Sequence, residues 1–365
     1  MPRQVLRIGV IGAGAIAPSH VYAIEQAEGA ALGAVCDPVP GRAADLAQPL
    51  GARAFTDVAA MLAADVVDAV TICTPSGLHL DAALAAIEAG RHLLVEKPLE
   101  ITTARVDQVI AAAARRGVVL AGVFQSRYRP VSCRMKALID AGIIGQVYAG
   151  SAYIKRYRTQ EYYDSGGWRG TWAIDGGGCL MNQGIHMVDL LLWFMGQAQA
   201  VAAFTDSVGR QVEVETLAMG LVRFASGAKG LIEATTLAYP ELPQYLEIFG
   251  DRGTATFNGD QLWRLDIRDP SPAEEAARHE LFDISARLAA EERQRSAVTA
   301  PGTAVPAVDM GHGPVVQDFV DAIRAGRPPQ VDGTEARRSV ALITAIYASG
   351  KDGGRLVEVS PGPVT

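Results

Sequence analysis

The sequence predicts an α/β protein of two domains, an N-terminal domain on a parallel sheet and a C-terminal α+β domain built on an open, mainly antiparallel sheet. Three observations carry this. Short apolar runs alternate with helical patterns through the first third of the chain, and a glycine-rich turn links the first run to the first helix. Beyond residue 146, β-rich segments follow one another without helices between them. Strands that alternate with helices pair in parallel, because a parallel crossover needs the long return that a helix supplies, whereas strands joined by tight turns pair antiparallel.

In chain order, residues 7–11 read as a buried strand followed at once by Gly12-Ala13-Gly14-Ala15-Ile16-Ala17 and an amphipathic helix. Gly12 suits a tight turn, Gly14 leaves the backbone open to a pyrophosphate, and Ala17 lets helix and strand pack closely. The helix start at Ala15 and Ile16 favours phosphate charge. The next apolar run, 31–36, ends at Asp37, where a ribose-binding carboxylate is expected. This succession of strand, loop, helix, strand and acid is the fingerprint of a dinucleotide-binding Rossmann domain. A carboxylate accepts from a ribose 2′-OH and repels a 2′-phosphate, so Asp37 favours NAD over NADP, with Arg42 partly offsetting the repulsion. Further strands are read at 69–73, 93–96 and 118–121, with alanine-rich helices at 78–89 and 104–116, so the Rossmann domain is assigned residues 1–124.

Residues 125–365 are assigned to the second domain. Its strands are read at 147–157, 200–206, 217–224, 229–236 and 246–249, with turns at Ser226-Gly227 and Asp251-Arg252-Gly253. Residues 269–308 read as a surface helix followed by a mobile loop. Two closing helices are marked by Val316, Phe319, Val320 and Ile323, then by Val340, Ile343 and Tyr347.

At 365 residues the chain is long enough for two cores. A net charge of −7 argues against nucleic acid or an anionic membrane as partner, since both need a basic face. No apolar run approaches the ~20 residues of a membrane span, and the stretch 185–195 is broken by His186 and Asp189. Cys36, Cys73, Cys133 and Cys179 lie far apart, without a Cys-x-x-Cys pair or histidines at metal-ligand spacing, and read as reduced, packed thiols. With the first strand following directly on the N-terminus, a cytoplasmic location is expected.

Two places carry residues suited to chemistry. The strand at 93–95 runs into Glu96-Lys97-Pro98, and in open α/β sheets ligands bind beyond the carboxyl ends of the strands, which aims Lys97 at a ligand. The second place is residues 168–190, where Gly176-Gly177-Gly178 permits unusual backbone angles and close approach of a ligand. A helix read after it bears Asn182, His186 and Asp189 at i, i+4 and i+7, on one face. His186 and Asp189 are spaced i, i+3 with no third ligand apparent, so no metal is expected.

With these motifs in place the chain resembles the Gfo/Idh/MocA family, named for glucose-fructose oxidoreductase, inositol dehydrogenase and a rhizopine-catabolism protein. The likeness rests on the glycine loop, Thr74-Pro75 with His79, Glu96-Lys97-Pro98, the run from Gly176 to His186, and the closing segment from Asp318-Phe319 to Gly333. It implies that Lys97 and His186 face the nicotinamide and the substrate. It further implies that Thr74, Pro75, His79 and Glu96 line the cofactor cleft, that Gln125 joins them, and that subunits assemble as dimers or tetramers through the open sheet. The family often carries aspartate four residues before its histidine, whereas this chain has Asn182. A neutral amide removes a bias towards imidazolium, so His186 is expected to stay neutral at pH 7 and able to accept a proton.

Oxidising a secondary alcohol sends a hydride to the nicotinamide while a proton leaves oxygen, which calls for a positioned base and a donor for the developing alkoxide. His186 is assigned as the base and Lys97 as the orienting cation, with an exchange of those roles left open, and Asn182 as the neighbour that tunes them. Tyr157, Trp168, Arg169 and Tyr239 are candidates for a sugar subsite beside Asn182 and His186, because aromatic faces and forked donors suit polyhydroxylated rings. The expected function is NAD(P)-dependent hydride transfer at a secondary hydroxyl or keto carbon of a sugar, cyclitol or sugar derivative. An alternative keeps NAD bound and recycles it for glycoside cleavage or epimerisation. A regulator that only senses dinucleotide ranks last, since Lys97 and His186 are both present.

Overall fold

The computed structural model describes residues 5–298 and 311–362. Strands β1 (Leu6–Ile11), β2 (Ala30–Cys36), β3 (Arg53–Phe55), β4 (Ala69–Ile72), β5 (His92–Val95) and β6 (Leu120–Gly122) form a parallel sheet in the order β3-β2-β1-β4-β5-β6. Helices α1 (Ala17–Gln26), α2 (Pro40–Ala47), α3 (Val58–Ala63), α4 (His79–Glu88) and α5 (Thr103–Arg116) make the crossovers. The chain direction across the sheet reverses between β1 and β4, and the crevice at such a reversal is where doubly wound sheets hold ligands. Register aligns the strand ends there: Ile11 pairs with Ile72, and Ile72 with Val95, so Gly12, Cys73 and Glu96 emerge side by side. β3 carries no sequence signal because it is three residues long and mostly exposed, an edge strand with no apolar run.

After α6 (Pro130–Asp140) the second sheet is built from β7 (Val147–Lys155), β8 (Ala198–Asp206), β9 (Leu217–Phe224), β10 (Lys229–Thr235), β11 (Tyr245–Gly250), β12 (Gly253–Phe257), β13 (Leu262–Ile267) and β14 (Val357–Glu358). Their order is β13-β12-β11-β7-β10-β9-β8-β14. The pair β7 and β10 is parallel and the other neighbours are antiparallel, so the sheet is mixed and mainly antiparallel as expected. Helices α8 (Ile185–Met195) and α11 (Gly333–Lys351) pack on one face. The strict alternation of buried and exposed residues along β9 reports that only this face is covered, and Phe204, Met219 and Leu221 stand exposed on the other.

The remaining helices are α7 (Gln160–Asp164), α9 (Pro272–Val298) and α10 (His312–Ala325). The surface helix expected from residue 269 is α9, and the loop expected beyond it lies outside the described residues. α10 returns to the first domain: Val315, Val316, Phe319 and Val320 are buried with Ile8, Val10 and Ile24 against α1. A second apolar cluster runs from Val70 and Leu93 of the first sheet through Phe124 to Leu190 and Ile232 of the second, so the two sheets share one continuous core. Among the described residues no helix is long and apolar enough to cross a membrane.

Candidate active site

The glycine loop has the shape that dinucleotide binding requires. Gly12 sits at φ +95°, and a Cβ there would come within 2.9 Å of the Cys73 carbonyl and the Thr74 nitrogen, so only glycine fits. At Gly14 a Cβ would meet nothing within 4 Å, which leaves clear space over the loop. α1 starts without a side-chain cap at Ile16; Ala17 N–H is taken by the Gly14 carbonyl at 3.1 Å and Pro18 has no N–H, so it falls to the loop just ahead of the helix to meet an anion. Asp37 is buried, and its carboxylate accepts from Ala13 N–H at 2.8 Å and Val39 N–H at 2.9 Å, which ties the end of β2 to the loop. Thr74 Oγ1, Gln125 Oε1 and His186 Nδ1 are buried polar atoms without a partner. Buried polar groups are ordinarily paired, and these unspent ones fit a polar ligand in the crevice.

Lys97 and Glu96 have divided roles. The Lys97 ammonium donates to the carbonyl of Asn182 at 3.0 Å, which brings the end of β5 against the second domain. Burial lowers the Lys97 pKa below the usual lysine value, with Glu96 and Asp175 opposing and Arg156 adding to the shift. Glu96 turns inward. Its Oε1 lies 2.9 Å from His20 Nε2 and 3.1 Å from His312 Nε2, and its Oε2 accepts from Lys97 N–H at 3.0 Å. Burial works against its charge, but the hydrogen bonds from His20 and His312 overcome this and hold the carboxyl well below the usual range. Both imidazoles therefore donate from Nε2, and His20 Nδ1 is left to accept from Thr71 Oγ1 at 2.9 Å. Among the described residues these three are the one group with metal-type ligand atoms within 4.8 Å of one another. With both Nε2 atoms serving as donors, we read the group as a hydrogen-bonded clasp that sets the Lys97 backbone. His79 has its ring nitrogens 2.9 Å from the carbonyls of Pro98 and Thr74; burial lowers its pKa, so the neutral ring donates to one of the two while packing between both crevice loops.

The glycine run of the second domain is organised around protein contacts. A Cβ at Gly176 would strike Ile101, one at Gly177 the Tyr347 hydroxyl, and one at Gly178 the Glu215 carbonyl. Close packing of backbone on side chains, where close approach of a ligand was expected, is what requires glycine here. The buried Glu215 carboxylate accepts from Gly178 N–H, Leu180 N–H and the Tyr347 hydroxyl, each at 2.9 Å. Because those amides are satisfied by Glu215, the chain turns instead of coiling, and α8 begins only at Ile185. Asn182 therefore lies in the turn before the helix. It does not share a helix face with His186 and Asp189.

The turn places Asn182 at the centre of a polar network. Its amide donates to Asp175 Oδ1, and its Oδ1 accepts from Gln183 Nε2 at 3.0 Å. Gln183 also meets the Tyr162 hydroxyl at 2.9 Å and Arg158 Nε at 3.0 Å. Burial raises the pKa of Asp175, while Gly170 N–H at 2.9 Å and Asn182 stabilise its charge. His186, one turn into the site from Asn182, packs edge-on against Phe124 with ring centroids 5.9 Å apart. Burial, then the Lys97 charge, lower its pKa to about 3, so the imidazole is neutral at pH 7. Asp189 points away, into a bidentate pair with Arg127 at 2.7 and 2.8 Å. Arg127 also reaches Glu335 at 2.7 Å and thereby joins the 3₁₀ turn carrying Gln125 to α8 and α11.

At the outer rim, Arg169 lies 4.4 Å over the Tyr162 ring and 5.0 Å over the Trp168 ring. Tyr157 and Tyr239 meet edge to face at 5.0 Å, and Tyr239 is 81% exposed. Glu241 pairs with Arg156 at 2.8 Å and Arg158 at 2.9 Å. Sequence reasoning missed His20, Asp175, Gln183, Tyr162, Arg158 and His312. A polar residue on the buried face of α1, and an acid directly before three glycines, were the available signals for His20 and Asp175.

A parallel sheet with a glycine loop at its reversal, facing an ammonium and an imidazole across a domain crevice, defines a two-domain dinucleotide-dependent enzyme. The chain belongs to the GFO/IDH/MocA oxidoreductase family: residues 6–124 match its NAD-binding Rossmann fold and residues 133–256 its C-terminal domain. Among solved structures it is similar to the WlbA dehydrogenase from Bordetella pertussis in complex with NADH and UDP-GlcNAcA, with TM-score 0.88, 31% identity and 99% of each chain covered. It is also similar to the myo-inositol 2-dehydrogenase of Thermotoga maritima, 24% identical over 92% of this chain and 94% of that one. The D-apiose dehydrogenase of Paraburkholderia graminis is 26% identical over 96% of this chain and 88% of that one.

Proposed function

We propose that this protein is an NAD-dependent dehydrogenase of sugars or cyclitols, moving a hydride between the nicotinamide and a secondary carbinol held between Lys97 and His186. The observation that carries the reading is the Lys97 ammonium resting on the Asn182 carbonyl, beside a neutral His186 and beyond the end of β5. The names of the relatives above support the substrate class. When bound, NAD supplies the hydride acceptor. Gly12, Gly14, Ala15 and Ile16 would hold its pyrophosphate, Asp37 its ribose, and Thr74, Pro75 and Gln125 the wall of its cleft. Purified protein given NAD and a panel of sugars and inositols should accumulate NADH in proportion to product. Product without NADH would overturn the dehydrogenase reading in favour of NAD recycling. Asp37 should give NAD at least about a tenfold advantage over NADP in kcat/KM; better performance with NADP would reject that role.

The environment favours Lys97 as the proton acceptor and His186 as the group that orients the hydroxyl. An imidazole drawn down to about 3 holds a proton weakly, whereas an amine whose pKa burial sets below the usual lysine value is better matched to the task. Oxidation requires the unprotonated amine, so kcat/KM should rise with pH along a limb set below the usual lysine value. The same limb kept in Lys97→Ala would return the role to His186. Asn182→Asp would place a second carboxylate against Asp175 and beside Lys97, which favours the ammonium and should move the limb to higher pH. An unmoved profile would remove Asn182 from the tuning of the site.

We further place the division between the domains at residues 124/125, and the protein in the cytoplasm, where its four free cysteines would stay reduced. The open sheet face bearing Phe204, Met219 and Leu221 supports a homodimer or homotetramer.

A further inference from the structure

In a chain whose net charge is −7, Lys97, Arg156, Arg158, Arg169 and Arg210 gather from the reacting centre to the rim. Glu241 answers Arg156 and Arg158. Arg210 donates to the carbonyls of Arg158 at 2.7 Å and Gly209 at 2.6 Å, and lies 5.4 Å over Tyr157. Neither it nor Arg169 has a carboxylate within ion-pair distance among the described residues. The acids nearest Arg169 in sequence have hydrogen-bond partners of their own: Asp164 accepts from Gln160 at 2.9 Å, and Asp175 from Gly170 and Asn182.

Arg169 differs from the others in having no side-chain hydrogen bond among the described residues. Its guanidinium lies against Tyr162 and Trp168, with the Asp175 carboxylate near enough to feel its charge but not within ion-pair distance. Stacking fixes the plane of the group and leaves its N–H edge unspent, which prepares a forked donor for a planar oxyanion. Its position is tied to the reacting centre. Gly170 N–H binds Asp175, Asp175 binds the Asn182 amide, and the Asn182 carbonyl holds Lys97. On the other side, Tyr162 meets Gln183, whose Oε1 accepts from Arg158, so Arg158 and Arg169 both lie over the Tyr162 ring. A neutral polyol would leave this fork unanswered in a half-buried rim.

We propose that Arg169 anchors an oxyanion carried by the substrate, a carboxylate or a phosphate on the sugar, with Arg158 and Arg210 reinforcing the positive field. The substrate is then an acidic sugar whose carbinol lies at Lys97 while its anion lies at the rim. This rests on the dehydrogenase reading above and narrows it.

The test is steady-state oxidation by the full chain with NAD, comparing neutral hexoses and inositols with hexuronates and with sugar phosphates or nucleotide-linked sugars. At least one anionic class should exceed its neutral counterpart in kcat/KM by about 10- to 100-fold, the range of a charge-assisted hydrogen bond. The class that responds distinguishes a ring carboxylate from a phosphate. In the wild type, raising ionic strength should increase KM for the anionic substrate and shrink its advantage. Arg169→Gln should reduce the ratio of anionic to neutral kcat/KM about tenfold or more, mainly through KM, and Arg169→Lys should restore part of it. If Arg169→Gln fails to fold, the salt series and Arg169→Lys carry the test. Neutral sugars oxidised as well as their acids, or a ratio unmoved by Arg169→Gln and by salt, would overturn this inference alone. No NADH from any member of the panel would instead overturn the dehydrogenase reading on which it stands.

Discussion

Lys97→Ala should lower kcat for NAD-dependent oxidation on the order of 100-fold or more, the loss expected when a positioned acid/base group is removed. The physical reason lies in how little else near the carbinol can take a proton. His186 is neutral but held down to about 3 by burial and by Lys97 itself, and Glu96 is committed to His20, His312 and the Lys97 amide. Asp175 is buried and engaged with Gly170 and Asn182. Removing the ammonium would also lift the smaller of the two main causes that hold His186 down, burial being the larger, so its pKa should rise but stay below the usual histidine value. A purely structural lysine would behave differently. Added primary amines such as methylamine should restore part of the activity of Lys97→Ala, in proportion to the free-base amine. Rescue that is absent, together with a variant that keeps more than about a tenth of wild-type kcat, would remove Lys97 from the proton transfer.

The parts of the site that were legible in the sequence are local ones. Gly12 and Gly14 announce themselves because a strand, a tight turn and a helix N-terminus occupy consecutive residues, and Asp37 follows at the end of the next strand. Lys97 was legible because a short apolar strand of a parallel sheet must end in the crevice. What escaped was set by contacts between distant parts of the chain. His312 meets Glu96 across 216 positions and Arg127 meets Glu335 across 208, separations at which no spacing rule operates. Asn182 was placed on a helix because i, i+4 spacing to His186 is the helical signature. Glu215, arriving from a separate segment, captured the amides of Gly178 and Leu180 and turned that segment aside. Asp189, three residues on from His186 along α8, is taken up by Arg127. Even so, the turn carries the Asn182 carbonyl to Lys97, so the two residues meet although Asn182 stands outside the helix.

Arg127→Ala should destabilise the folded protein by about 3–5 kcal/mol, because it removes one partner of a buried ion pair and leaves the other unanswered. Arg127 and Asp189 are 1% and 0% exposed at the side chain, and they bond in the forked, two-contact geometry. Ser339 adds a hydrogen bond to Asp189 at 3.2 Å, and Glu335 takes the remaining side of the guanidinium. Truncation would leave the Asp189 carboxylate buried with the Ser339 hydroxyl as its remaining donor and the like charge of Glu335 near it. The loss should reach function too. The pair joins the turn bearing Gln125 to the helix bearing His186, so loosening it displaces one wall of the crevice from the other. Chemical denaturation read by fluorescence should record the drop in stability, and the surviving folded fraction should show a lowered kcat. The double variant Arg127→Met with Asp189→Leu should recover much of the stability, since an apolar pair of similar volume removes the stranded charge. If the double variant is no more stable than Arg127→Ala, the cost lies in lost packing against Trp193, over whose ring the guanidinium sits at 5.7 Å, and the buried charge is not its cause.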